Sequence, residues 1–158
     1  MVNQTQDIAA IERILTHPKV IRMIADDFTD VNTIRSRMSG GDLVGLHIMN
    51  EEKTGVIKVD PLNGITCVIH VATLPELWGK TREFAAEVGR WIFENTKYTK
   101  VVAIIPAFNR LTIKLCLDCG FVHEGTISQS FLKNWKKYDQ ALLGLTKVAF
   151  EGGALCHH

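Results

Sequence analysis

Ile8, Ile11, Ile14 and Leu15 recur at helical spacing and mark the apolar face of a helix over Asp7 to Leu15. Pro18 then opens a second short helix expected to run through Phe28, with Val20, Ile21 and Ile24 on its apolar side, because proline is tolerated in a first turn. The pattern changes to strands. Leu43 to Met49 is apolar, Gly55 to Val59 alternates, and Ile65 to Ala72 is nearly continuous in β-branched residues, with Asn50 to Thr54 and Pro61 to Gly64 between them. This block predicts an antiparallel meander. Between Thr81 and Asn95, Phe84, Ala85, Val88, Trp91 and Ile92 fall on one helical face and Arg82, Glu83, Glu87, Arg90 and Glu94 on the other, so the apolar stripe must lie on a sheet. Val101 to Ile105 reads as a buried strand, Asn109 to Cys119 as a helix stopped by Gly120, and Phe121 to Phe131 with Tyr138 to Leu145 as a closing pair of strands. The order implies a mixed α/β (α+β) sheet with one right-handed βαβ unit at its centre.

The chain has 158 residues, 46% of them hydrophobic, and 18 basic against 17 acidic side chains for a net charge of +1. A chain of this length buries roughly 68–70% of its unfolded surface and needs no disulfide or structural metal to form a core. No repeat or linker divides it, so residues 1–158 are expected to form one domain: a helical part over 1–40, the sheet and site over 41–147, and a tail over 148–158. Near-neutral charge argues against a dedicated nucleic-acid binder. The densest basic cluster, Lys133 to Lys137 around Trp135, reads as a solvated hairpin. Met1 to Asp7 is polar and no apolar h-region follows, and no uncharged stretch is long enough to span a bilayer, so a cytoplasmic protein without a membrane partner is expected. Cys67, Cys116, Cys119 and Cys156 are too few and too irregular for a disulfide framework. The Cys116–Cys119 spacing, His123 and the terminal Cys156, His157 and His158 do not make a zinc pattern, because a second Cys pair is missing, and no metal is expected.

Trp78, Gly79, Lys80, Thr81 and Arg82 follow a strand and open a helix, where unpaired amides and the helix dipole favour an anion. The segment is not a Walker loop, since Leu74 stands where that pattern requires glycine. Downstream, Asn109 is followed by a helix, Gly120-Phe121, Glu124-Gly125, a polar hairpin and Tyr138-Asp139 before an apolar strand. In this order of motifs the chain resembles the GCN5-related N-acetyltransferases, the GNAT superfamily, from about Gly55 to Lys147. Leu74 to Lys80 matches the loop with which that family binds the pyrophosphate of acetyl-CoA. With His70-Val71 in the preceding strand and His17-Pro18 near the start, it looks most like the GNAT-type proteins of tailed phages and prophages, some of them associated with head assembly.

The resemblance implies a GNAT-like fold: a central mixed, mostly antiparallel sheet, two central parallel strands that splay, and flanking helices. It implies acetyl-CoA as cofactor and an amine of a small molecule or protein as acceptor. The splayed strands would be Ile65 to Ala72 and Val101 to Ile105, with amides near Val71 and Ala72 facing the acyl oxygen, and Trp78, Gly79, Lys80, Thr81 and Arg82 holding the pyrophosphate. Asn109, Thr112 and Cys116 at i, i+3 and i+7 share a helix face that would meet the cofactor. Cys116 stands where many family members carry the tyrosine that protonates the leaving thiolate, and His70 and Glu124, with His47 on a neighbouring strand, are the candidate bases. The loop departs from the family pattern of Arg or Gln, two residues, Gly, one residue, Gly or Ala: Trp78, Thr81 and Glu83 occupy those positions. Thr81 and Glu83 fill both glycine places, and Glu83 adds a negative charge beside the expected anion, so binding of acetyl-CoA turns on this loop. The alternative reading is a catalytically lapsed GNAT-fold interaction protein, with a homodimer or phage structural proteins as partners.

Overall fold

The computed structural model describes residues 1–40 and 45–154. Strand β1 (Val2–Gln4) and helices α1 (Ile8–Leu15), α2 (Pro18–Ile24) and α3 (Val31–Ser39) precede strands β2 (Leu46–Asn50), β3 (Gly55–Pro61) and β4 (Thr66–Thr73). A 3-10 turn over Pro75–Lys80 leads into α4 (Thr81–Asn95), followed by β5 (Lys100–Pro106), α5 (Arg110–Asp118), β6 (Val122–Lys133) and β7 (Lys136–Thr146). Short helical turns cover Lys147–Ala149 and Phe150–Ala154. Among the described residues, seven strands form one sheet in the order β1-β2-β3-β4-β5-β7-β6, in which only β4 and β5 run parallel. Among the described residues, no helix is long and apolar enough to cross a membrane.

Each side of the sheet carries its own core because strand side chains alternate. Ile57, Val59, Cys67, Val101, Leu143 and Leu145 pack against Phe84, Val88 and Ile92 of α4. On the other side, Met49, Val56 and Ala72 pack against Ala10, Ile11 and Ile14 of α1, Val20 of α2, and Ile34 and Met38 of α3. The sequence sets the boundaries of these helices. Asp7 accepts from Ala10 N at 3.0 Å to cap α1, and Asp30 accepts from Thr33 N at 2.7 Å to cap α3. Helix α2 ends at Ile24 rather than Phe28, because Ala25 turns extended and the Asp26 carboxylate takes the Phe28 amide and the Thr29 hydroxyl in a local turn. The expected strand from Leu43 is observed from Leu46, residues 43 and 44 lying outside those described, as do Cys156, His157 and His158.

One close approach sets where α4 begins. A Cβ on Gly55 would lie 2.6 Å from Leu77 Cδ2 and 2.9 Å from the Phe84 ring, so only glycine lets the 3-10 turn and the first turn of α4 settle on β3. Gly55→Val is expected to overpack this contact and cost about 1–3 kcal/mol. For a chain of this length that lowers Tm by roughly 2–12 °C, which differential scanning calorimetry will show; an unchanged Tm means the start of α4 is not seated by this contact.

Candidate functional site

The parallel pairing of β4 with β5 is short. It joins Thr66 to Lys100, Cys67 to Val101 and Val68 to Val102, then stops. Beyond it, β4 continues to Thr73 paired only with β3, and β5 continues to Pro106 paired only with β7. The two central strands therefore part, and among the described residues the backbone polar groups of β4 from Ile69 onward that point away from β3 have no strand partner. Strand pairing alternates, and β3 and β4 keep an unbroken register, so Val71 or Ala72, and not both, aims its N–H into the opening. Val71 is partly exposed and Ala72 is buried against α1 and α2.

An apolar cavity of about 60 Å³ adjoins the opening on the α4 side. Ile69 and Val71 of β4, Thr81 and Phe84 of α4, and Thr112 and Cys116 of α5 contribute to its wall. Of the expected stripe on α5, Thr112 and Cys116 reach this cavity. Asn109 does not line it: its side chain accepts from Thr112 N at 3.2 Å and caps α5. Leu115 is also part of the wall, while Leu111 is 84% exposed.

Helix α4 begins beside the cavity without a side-chain cap. The Thr81 hydroxyl is turned back to the carbonyls of Leu77 and Trp78 at 3.1 and 3.2 Å, so it does not cap the amides that follow it. Trp78 braces the loop by donating Nε1–H to Thr73 O at 3.2 Å. Gly79, Lys80, Arg82 and Glu83 are exposed, and Arg82 Nη2 also reaches Asp118 O at 3.4 Å, linking the start of α4 to the end of α5. A side chain at Gly79 would meet open space, so an approaching group finds bare backbone there.

His70 stands on the opposite side of the sheet, two residues past the last β4–β5 pair, and is open to solvent. Its Nε2 lies 3.3 Å from Asp60 Oδ2, and Lys58 Nζ lies 3.2 Å from the same oxygen. Donation from Nε2 to Asp60 leaves the Nδ1 lone pair free. Partial desolvation by the neighbouring strands lowers the pKa of His70 below its ordinary 6.5; the Asp60 charge opposes this and Lys58 adds to it, so the neutral ring predominates at pH 7. Sequence reasoning missed Asp60 and Lys58. The signal was two charges alternating with apolar residues along β3, and the cross-strand register that brings them to His70 is not written in either strand alone.

The other candidate bases lie elsewhere. Glu124 forms an ion pair with Lys100 Nζ at 2.7 Å, crossing over Gly144, and sits in a bulge between His123 and Gly125. Lys100 is opposite Thr66, four residues before His70, or about 13 Å along the strand. This placement takes Glu124 away from the opening. His47 is buried beside Gly45 O at 3.2 Å and burial lowers its pKa, so it is a neutral residue of the sheet interior.

Cys116 is not poised as an acid. Burial, helped by Cys119, pushes its pKa up to about 12. Moving that proton to a thiolate of ordinary basicity would cost about 5 kcal/mol, so Cys116 serves as cavity wall. Cys116→Ala is expected to change turnover by less than about threefold, against the 10²–10⁴ typical of a lost general acid; a loss in that larger range assigns the proton to Cys116. Among the described residues, no three His, Cys, Asp or Glu side chains converge as metal ligands.

A mostly antiparallel sheet parted between two central parallel strands, with a helix start above the parting, is the fold of the GNAT N-acetyltransferases. The chain superposes on spermidine N-acetyltransferase from Vibrio cholerae in complex with CoA and spermine, with a TM-score of 0.77, 15% identity and coverage of 96% of this chain and 97% of that one. It also superposes on a Salmonella typhimurium protein, yncA, solved with its cofactor acetyl-CoA (TM-score 0.69, 20% identity, 93% of each chain). At these identities the likeness establishes the fold. No protein-family model and no curated protein matches the sequence.

Proposed function

We propose that the chain is an N-acyltransferase that moves an acetyl group from acetyl-CoA to an amine. The observation that carries this reading is the parting of β4 from β5 after Val68 and Val102, with an apolar cavity on one side and a neutral histidine on the other. The solved relatives include an enzyme named for acetylating spermidine and a protein with bound acetyl-CoA, which supports the same reading.

The residues present fit the cofactor. The start of α4, which has no side-chain cap, is flanked by Lys80 and Arg82 and faces the phosphates, and the Thr81 hydroxyl is folded back on Leu77 and Trp78. Ile69, Val71, Phe84 and Cys116 give the dry wall that a pantetheine arm requires. Acetyl-CoA, when bound, supplies an acyl group activated as a thioester. The N–H of Val71 or Ala72 facing the opening is the donor for the acyl oxygen as negative charge develops there. On the other side of the sheet, His70 Nδ1 takes the proton of the attacking amine, Asp60 holds the ring and stabilises the imidazolium, and water supplies the proton to the sulfur released as the thioester C–S bond breaks and the amide bond forms. Incubation with acetyl-CoA and a panel of small amines and peptides, followed by mass spectrometry, is expected to show acetylated product. No product with any amine, although acetyl-CoA binds, would contradict catalysis.

A further inference from the structure

The tip of the β6–β7 hairpin is tied to the segment between α2 and α3. Asn134 N donates to Asp27 Oδ1 at 2.8 Å and Trp135 N to Asp27 Oδ2 at 2.7 Å. Asp27 N donates to Leu132 O at 3.1 Å. Lys133 Nζ donates to Arg22 O at 2.9 Å and Ala25 O at 2.5 Å, carbonyls at the end of α2. Asn134 and Trp135 have φ of 51° and 60°, the left-handed pair of a tight hairpin turn that usually calls for Asn-Gly. A bulky residue rarely adopts this conformation, and the Trp135 side chain is not held by packing, since the residue is 82% exposed. The two bonds to Asp27 hold the turn.

The topology gives this tie a consequence. Helix α2 packs on β4, β7 pairs with β5, and β4 and β5 have parted. The path from β4 through α2, Asp27, the hairpin and β7 to β5 is therefore a closed circuit around the opening. Phe108, just after β5, packs edge-on against Phe131 at 5.8 Å and Tyr138 at 4.9 Å, which stiffens the hairpin side of the circuit. His70 is directed to the side of the sheet on which α2 lies.

We propose that Asp27 is a specificity-determining positioning residue: it clasps the hairpin across the opening, so the acceptor reaches His70 through a ring and not along an open groove. A ring admits a slender primary amine and excludes a lysine on the surface of a folded protein. This rests on the N-acyltransferase reading of the same opening.

Asp27→Ala and Asp27→Asn test it in the full chain by two readouts. In amide hydrogen exchange without ligand, Asn134 and Trp135 are expected to lose at least about tenfold protection in Asp27→Ala and less in Asp27→Asn, while Val102 and Leu143 in the β5–β7 ladder keep theirs. In transfer assays with spermidine, n-butylamine and glycine amide against a folded lysine-rich protein, the wild type is expected to modify small amines only. Asp27→Ala is expected to raise KM for the small amine about tenfold with kcat little changed, and to gain transfer to the protein. Unchanged exchange at the hairpin tip overturns the clasp, and wild-type transfer to the folded protein overturns the ring. If the wild type binds no acetyl-CoA and modifies no amine, the N-acyltransferase reading fails and the specificity role with it, and the exchange result then decides the clasp alone.

Discussion

His70→Ala is expected to lower kcat/KM for the acetylated amine by about 10²–10⁴-fold, the range a positioned general base contributes, while leaving affinity for CoA unchanged. The two effects separate because His70 lies across the sheet from the cavity and from the start of α4. The pH profile adds a second signature. The His70 pKa lies below 6.5, so the basic form predominates above that value and is lost as pH falls through the lowered one. The wild type is then expected to show an acid limb below pH 6.5 that His70→Ala lacks. Equal activity of the two proteins, or an acid limb that survives the substitution, would move the base to another group or to water.

Thr81→Glu is the corresponding test of the phosphate end. A carboxylate about 4 Å from a phosphate oxygen costs ~4 kcal/mol at an effective dielectric near 20. Exposure reduces this to about 2–3 kcal/mol, a 30- to 150-fold weaker Kd for CoA. The fold is not expected to suffer. Losing the hydroxyl bonds to Leu77 and Trp78 is offset by an acidic residue in the first turn, which favours the helix by about 0.3–1 kcal/mol. Thr81→Gly, which clears the backbone, is expected to tighten CoA. Calorimetric titration of the three proteins decides: an unchanged Kd in Thr81→Glu places the phosphates elsewhere.

The fold was legible where hydrophobic period and end signals agreed. Helix α4 runs from Thr81 to Asn95 as its apolar stripe predicts, and β3, β4 and β5 lie within two residues of their expected ends. The elements missed give little pattern to read. Strand β1 has only Val2 buried, and α3 buries Ile34 and Met38 alone within a polar run. The site was legible at single residues and not in its pairings. His70 was found from its place on β4, but its partner Asp60 arrives through strand register, which depends on both strands at once. Glu124 read as a base because nothing local shows the bulge that turns it to Lys100. Cys116 read as an acid because its chemistry is local and its burial is not. The tie from Asp27 to Asn134 and Trp135 joins residues more than a hundred positions apart.

The two glycine places filled by Thr81 and Glu83 argue against cofactor binding in sequence, whereas the uncapped helix start and the apolar cavity argue for it in structure. Thermal unfolding with and without acetyl-CoA decides between them. At about 100 times Kd, binding stabilises by roughly 2.7 kcal/mol, which for a chain of this length is a rise in Tm of about 5–11 °C. That rise is the predicted result; no shift at millimolar acetyl-CoA would contradict the account.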